Sequence, residues 1–270
     1  MIPRLRSGHA RETAYATLAY AAIATVTTWP LAAGITRDVA WDLGDSVLNM
    51  WILAWDCEQL RGILQGHFSH LRHFFDANIF HPAPLTLAYS EHLVPQALQI
   101  FPIYAVTKNP ILCYNVLFLS TFVLSGVGMF LFAREVTGST AAAFVAGLLF
   151  GFAPYRIPQS SHLQVLSSQW MPFAMYGFRR FLEGGRTRTL VGGTAAVVLQ
   201  DLSSGYYLLY FSPFALAYVV WEMWRNDRLR DRRTWFALIA AAVVAAVVIA
   251  PFVVPYIRAS RELELTRQSP

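Results

Sequence analysis

Residues 179–233 read RRFLEGGRTRTLVGGTAAVVLQDLSSGYYLLYFSPFALAYVVWEMWRNDRLRDRR. Two arginine clusters, Arg179 to Arg188 and Arg225 to Arg233, enclose two apolar runs that meet at Asp201-Leu-Ser-Ser-Gly205. Short basic loops stay on the cytoplasmic side of a membrane. Only 36 residues lie between the clusters, enough for one helix out and one helix back. The stretch therefore predicts a helical hairpin whose bend is outside. Composition agrees with a membrane protein. The 270 residues are 56% hydrophobic and 14% charged, with a mean hydropathy of +0.41, whereas a soluble domain carries roughly 25% charge. A disordered chain and an ordinary cytosolic enzyme are both excluded. All but one of the 21 basic residues are arginines, and they sit in clusters between apolar runs. That pattern orients helices in a membrane and does not form a nucleic-acid face. Cys57 and Cys113 make no metal or redox spacing.

Further apolar runs cover about 14–35, 112–133, 141–152, 165–181 and 235–257. Counting crossings back from the hairpin puts 154–162 outside, 134–139 inside and Lys108 outside. Residues 92–107 are apolar too, but this segment is 16 residues long with Pro95 and Pro102. At about 1.5 Å per residue it falls short of a bilayer core of roughly 30 Å, so it reads as an interfacial or re-entrant element. The expectation is an all-α, polytopic membrane helix bundle of about seven crossings with interfacial helices in a large first outer loop. Residues 1–35 form the cytoplasmic N-terminus and first membrane helix, and 36–111 the outer loop. Residues 112–257 form the bundle, and 258–270 an outer tail or the start of a further region.

Ionisable chemistry concentrates in the outer segments. Of seven histidines, His67, His70, His73, His81, His92 and His162 all fall there. The helical spacing of the first three, with Phe68 among them and Phe74 and Phe75 following, reads mainly as an aromatic interfacial patch. In 42–56, Asp45 follows Gly44 in the position of a helix N-cap. At 100° per residue it shares a face with Asn49 and Asp56, while Leu48, Trp51, Ile52 and Trp55 make an apolar stripe. The pattern predicts a helix lying on the outer surface, with Asp42 in the turn before it. Glu91 opens the short element at 92–107 and suits its positive N-terminus. Arg156 reads as an anchor or an anion ligand, followed by His162. Asp201 ends a run too short to lift it clear of the membrane, and an acid at that depth is costly unless it lines a polar cavity.

The ordered layout resembles the GT-C superfamily of membrane glycosyltransferases. The residues carrying the resemblance are Gly44-Asp45-Ser-Val-Leu-Asn49-Met-Trp51, Glu91-His92, the inner turn around Arg134, Phe-Ala-Pro-Tyr-Arg156 and the bend at Asp201. Uncharacterised bacterial members are the most similar. This chain departs from the commoner pattern: Ser46 follows Asp45 where an Asp-Glu pair is usual, and Ser-Glu-His-Leu replaces His-Pro-Pro-Leu. Members also usually run on beyond seven helices, so the chain reads as a minimal module or a piece of a longer one.

The resemblance implies an inverting transferase in the bacterial cytoplasmic membrane, N-terminus in the cytoplasm. It would move a sugar from a polyprenyl-phosphate donor in the lipid to an acceptor on the outer face. It implies Asp45 as the catalytic base, with Asp42 as the second choice. Arg156, His162 and His92 are then candidates for the phosphate, and Glu91, Asp201, Tyr206 and Tyr207 for sugar or acceptor contacts. A divalent cation is compatible with this chemistry, but the departures at Ser46 and Glu91 leave no ligand set specified. No nucleic-acid partner is expected, and nothing sets the oligomeric state. The rival readings are a transporter or flippase of a lipid-linked substrate, and a non-enzymatic membrane scaffold. A transporter would need polar residues on both sides of the midplane, whereas these runs are nearly uncharged and polarity gathers at one side. The arginine clusters give a direct test of sidedness. A membrane-impermeant thiol reagent added outside should label a cysteine placed at Ser69 and spare cysteines at Thr187 and Asn226. Equal labelling of all three would overturn the crossing count.

Overall fold

The computed structural model describes residues 7–40 and 42–262. Arg4, Arg6 and residues 263–270 of the expected tail lie outside the described residues. Every regular element among the described residues is helical. Helix α1 spans Ser7–Thr27, earlier than the apolar run suggested, and a 3-10 turn at Leu31–Gly34 follows it. Pro30 lacks the N–H that a continuing helix would need. The expected outer loop holds α2 (Asp45–Leu64), the single turn α3 (Ser69–Arg72) and α4 (Val94–Thr107). Helix α4 has 14 residues with Pro102 inside it, about 21 Å of rise.

The remaining helices follow the apolar runs and their caps. Helix α5 (Pro110–Thr137) starts where Asn109 Oδ1 accepts from the Leu112 amide at 3.0 Å, with Pro110 at its first position, and ends at Gly138 with φ of 69°. Helix α6 (Thr140–Gly151) starts at Ser139, whose hydroxyl accepts from the Ala142 amide. The run at 165–181 is corrected: it divides into the single turn α7 (Leu163–Leu166) and α8 (Trp170–Leu182). Helices α9 (Thr187–Ser203), α10 (Gly205–Arg225) and α11 (Arg232–Glu262) complete the chain. The hairpin bend at Asp201–Gly205 is thus found where expected, while residues 258–262 continue α11 instead of starting a tail.

Two of these helices, α5 and α11, are long and apolar enough to cross a membrane. Helix α11 also leaves Phe236, Ile239, Val243, Val244, Val247 and Val254 exposed. So extended an apolar face has no place in water and fits a lipid environment.

Helix α5 is the spine, packed along α1, α6 and α8, while α9 carries α8, α10 and α11 on its sides. Glycines bring these helices close. A Cβ at Gly177 of α8 would meet Gly193 Cα of α9 at 2.6 Å, and one at Gly151 of α6 would meet Gly126 N of α5 at 2.9 Å. Small residues at such crossings let backbones approach, as helix packing in lipid requires.

The connections sort into two ends. At one end, ion pairs join Arg134 to Glu12 (2.9 Å), Arg180 to Glu135 (2.9 Å), Arg179 to Glu222 (2.7 Å) and Arg225 to Glu183 (2.8 Å). At the other, side-chain amides and a phenol hold backbone carbonyls. Asn115 donates to Ile35 and Asp38, Gln96 to Ser203, and Tyr256 to Ser90. The helical hairpins therefore place the basic clusters at one end and the segments expected to face outward at the other. The glycine contacts give a stability test. Gly177→Val should destabilise the purified protein by about 1–3 kcal/mol through overpacking. Gly192→Ala, where a Cβ meets open space, should be neutral or stabilising by up to about 1 kcal/mol. Equal melting temperatures for the two variants would contradict the α8–α9 contact.

Candidate functional site

Gly44, not Asp45, is the N-cap of α2, and Asp45 is its first helical residue with no capping bond from its side chain. That corrects the expected cap and frees the carboxylate. The turn before the helix is closed by Asp42, whose Oδ1 accepts from the Gly44 amide at 2.9 Å. Asp42 is therefore occupied in local turn structure. Asp45 Oδ2 lies 3.0 Å from His162 Nε2, and both side chains are partly open to solvent. One helical turn along the same face, the Asn49 amide donates to the Ser161 carbonyl at 3.1 Å. The four-residue spacing explains the motif: Asn49 pins the loop that carries His162, and this sets His162 opposite Asp45.

The face of α2 that carries Asn49 and Asp56 is turned into the protein, and both residues are buried. Leu48, in the expected apolar stripe, is exposed instead. Both carboxylate oxygens of Asp56 are buried without a hydrogen-bond partner, and burial pushes its pKa well up.

Residues 154–168 form a polar wedge between α6 and α8. Arg156 is fully buried at its centre. Its guanidinium donates to Ser168 Oγ (3.1 Å), Thr121 Oγ1 (3.0 Å) and the Leu166 carbonyl (3.0 Å), and lies over the Phe122 ring at 4.7 Å. Arg156 is thus enclosed as a clamp between the wedge and α5, with its Nε left without a partner. Tyr207 is also structural: its hydroxyl donates to the Val165 carbonyl. Sequence reading missed Gln200. Fully buried, it accepts from the Trp170 and Met171 amides at 3.1 Å each and donates to the Ser167 carbonyl at 2.8 Å. It satisfies the free N–H groups at the start of α8 from 30 residues away, and no local pattern signals such a bond.

A cavity of about 520 Å³ opens at the same end, bounded by Glu91, His92, Gln164, Asp201, Tyr206 and Tyr256, with Ile249, Phe252 and Val253 of α11 as an apolar wall. Glu91 does not serve α4 as expected. Its carboxylate accepts from Ser204 Oγ (3.0 Å) and the Gly205 amide (3.1 Å), so it caps α10. Burial raises the Glu91 pKa against the lowering effect of these bonds. Buried His92 has its pKa pulled down to about 4 by desolvation, which keeps it neutral at pH 7. Its ring packs against Phe75, Phe252 and Tyr256. Asp201 Oδ2 accepts from Ser212 Oγ at 2.7 Å, while its Oδ1 has no partner.

Glu91, His92, Asp201 and Tyr206 therefore meet at one cavity. Asp45 and His162 form a separate pair that does not line it. The wedge connects the two, since Gln164 of the cavity wall is two residues beyond His162. Among the described residues no three His, Cys, Asp or Glu side chains gather in one place. Histidines 70 and 73 instead bond Gln59 and Asp76. Comparison with known proteins finds no family model, no curated protein and no solved structure that matches this chain.

This geometry separates holding from function. Asn49→Ala should cost about 1–3 kcal/mol, because it leaves the buried Ser161 carbonyl unpaired. Asp45→Asn and Asp45→Ala should each cost less than about 1 kcal/mol, as loss of a partly exposed pair does. Melting temperatures of the three variants check this, and a larger loss at Asp45 than at Asn49 would restore a purely structural role for Asp45.

Proposed function

We propose that this chain is a GT-C-type membrane glycosyltransferase with about seven crossings, its α2 and α4 lying at the outer membrane surface. On this reading it moves a sugar from a polyprenyl-phosphate donor to an acceptor hydroxyl on the outer face. One observation carries the reading: the Asp45–His162 pair stands at the end of the bundle opposite the arginine clusters, joined through the wedge to a polar cavity with an apolar wall. A carboxylate that caps nothing, partly open to solvent and fixed by a histidine, is suited to proton transfer.

The step is a single displacement. The acceptor oxygen attacks the anomeric carbon, its proton passes to the Asp45 carboxylate, and the bond from the anomeric carbon to the phosphate oxygen breaks. The electron pair leaves with the phosphate, and the configuration inverts. His162 holds Asp45 through Oδ2 and so leaves Oδ1 for the incoming proton. Of the groups expected to meet the leaving phosphate, Arg156 is enclosed and His162 is engaged through Nε2 with Asp45. The apolar wall on α11 suits the isoprenoid tail. A cavity of about 640 Å³ also opens at the arginine end, beside Glu12, Arg134 and Glu135, but the Asp45–His162 pair is found at the opposite end only.

The test is transfer in proteoliposomes from a polyprenyl-phosphate sugar with the label in the sugar. Asp45→Asn should insert and bind the donor normally while losing transfer by roughly 10²–10⁴-fold, the usual contribution of a general base. Asp42→Asn, which retains an oxygen to close the turn, should keep most activity. Full transfer by the Asp45 variant would remove it from the mechanism.

A further inference from the structure

The cavity beside the wedge has a one-sided chemistry. Glu91 and Asp201 bring two carboxylates to it, and among the described residues no lysine or arginine lines it. Asp201 is only 5% exposed, yet its Oδ1 has no partner. Leaving a buried acceptor unpaired costs about 1–3 kcal/mol, more when it is charged, so this atom calls for a donor that the protein itself does not supply. Gln164 adds a second buried acceptor without a partner, its Oε1. Aromatic faces of Tyr206, Phe252 and Tyr256 complete the walls, with neutral His92 between them.

An anion would meet acid and ring faces here. A neutral sugar hydroxyl would satisfy one acceptor at most with its single donor. A primary ammonium has three N–H donors and no acceptor, which matches the acceptor-rich lining, and its charge is attracted to aromatic faces. Ile249, Phe252 and Val253 on α11, next to the exposed apolar face of that helix, suit a hydrocarbon chain leading to the same spot.

We propose that this cavity binds a primary ammonium group carried by a lipid, with Asp201 and Glu91 as its carboxylate partners and Tyr206 as an aromatic wall. Two sources share that chemistry: an ethanolamine headgroup and an amino sugar on a lipid carrier. The proposal deepens the transfer reading, since it names a group on one of the two substrates. Its test reads binding rather than turnover, so the two can fail separately.

The full chain is placed in nanodiscs of phosphatidylcholine and phosphatidylglycerol, which carry no primary amine. In one arm, phosphatidylethanolamine replaces the phosphatidylcholine, and thermal melting is followed. In the other, glucosamine is titrated by saturation-transfer NMR, with N-acetylglucosamine as the control that has lost the charge. The expected result is saturable stabilisation or binding by the amine in at least one arm and none by its uncharged or trimethylated counterpart. The arm that responds identifies the source. Asp201→Asn should weaken that response at least about tenfold, as loss of a hydrogen bond to a charged group does. Tyr206→Ala, at an exposed position where folding is not at stake, should weaken it about threefold. Asp45→Asn should leave it unchanged, which separates failure of transfer from failure of amine recognition. No response in either arm, or an equal response in the wild type and the Asp201 and Tyr206 variants, would overturn the proposal.

Discussion

The end of this molecule opposite the arginine clusters is organised by one enclosed cation. Arg156 has no carboxylate within ion-pairing distance among the described residues, so its burial is offset only by fixed dipoles and by the Phe122 ring. A buried guanidinium without a counter-ion depends on the hydrogen bonds its donors make, and both terminal nitrogens of Arg156 are bonded while its Nε has no partner. That demand ties Thr121 of α5, Ser168 and the Leu166 carbonyl to a single point. The chain between α6 and α8 must therefore fold inward instead of rising as a loop. His162 then comes to rest over the first turn of α2, and Gln164 turns toward the cavity. The placement of the Asp45–His162 pair is thus a result of how a charge 6 residues before His162 is solvated.

Legibility in the sequence follows the range of each interaction. The ends of α5 and α6 are set by Asn109, Pro110, Gly138 and Ser139, all within a few residues of the boundary, and the apolar runs that became these helices were readable. So was the bend at Asp201–Gly205, because positive clusters bracket it. The face of α2 that turns inward was not readable. Periodicity showed that Asp45, Asn49 and Asp56 share a face, but the partner that draws Asn49 inward is the carbonyl of Ser161, 112 residues away. Glu91 misled for the same reason. It stands just before one helix and caps another, 113 residues further on. Arg156 was singled out correctly as an unusual charge, yet whether such a residue faces a ligand or a set of hydroxyls depends on tertiary contacts alone.

The two ends of the bundle solve opposite problems. At the arginine end, Glu222 is fully buried and shares Arg179, Arg225 and the Tyr218 hydroxyl. Breaking such a buried pair on one side is costly, because it strands a charge. That makes this end a rigid staple across α8 and α10. At the other end, polar atoms are left open: Asp56, Gln96, Gln164, Gln169 and Asp201 all have buried atoms with no protein partner. Native proteins keep few such atoms, and they concentrate where water or a ligand enters.

The brevity of α6 and α8 reaches beyond the protein. With 12 and 13 residues, they rise only about 18 and 20 Å, against a hydrocarbon thickness of roughly 30 Å. On the proposed topology, with Val145 and Leu149 of α6 facing outward, lipid beside them compresses to cover what apolar surface there is. A local dimple of this kind costs a fraction of a kcal/mol for each ångström of mismatch. It also lowers the water–lipid boundary toward the wedge, shortening the climb of a headgroup that leaves its leaflet. The chain should accordingly gather in thin regions of its membrane, and bilayers of longer-chain lipids should exclude it or slow it.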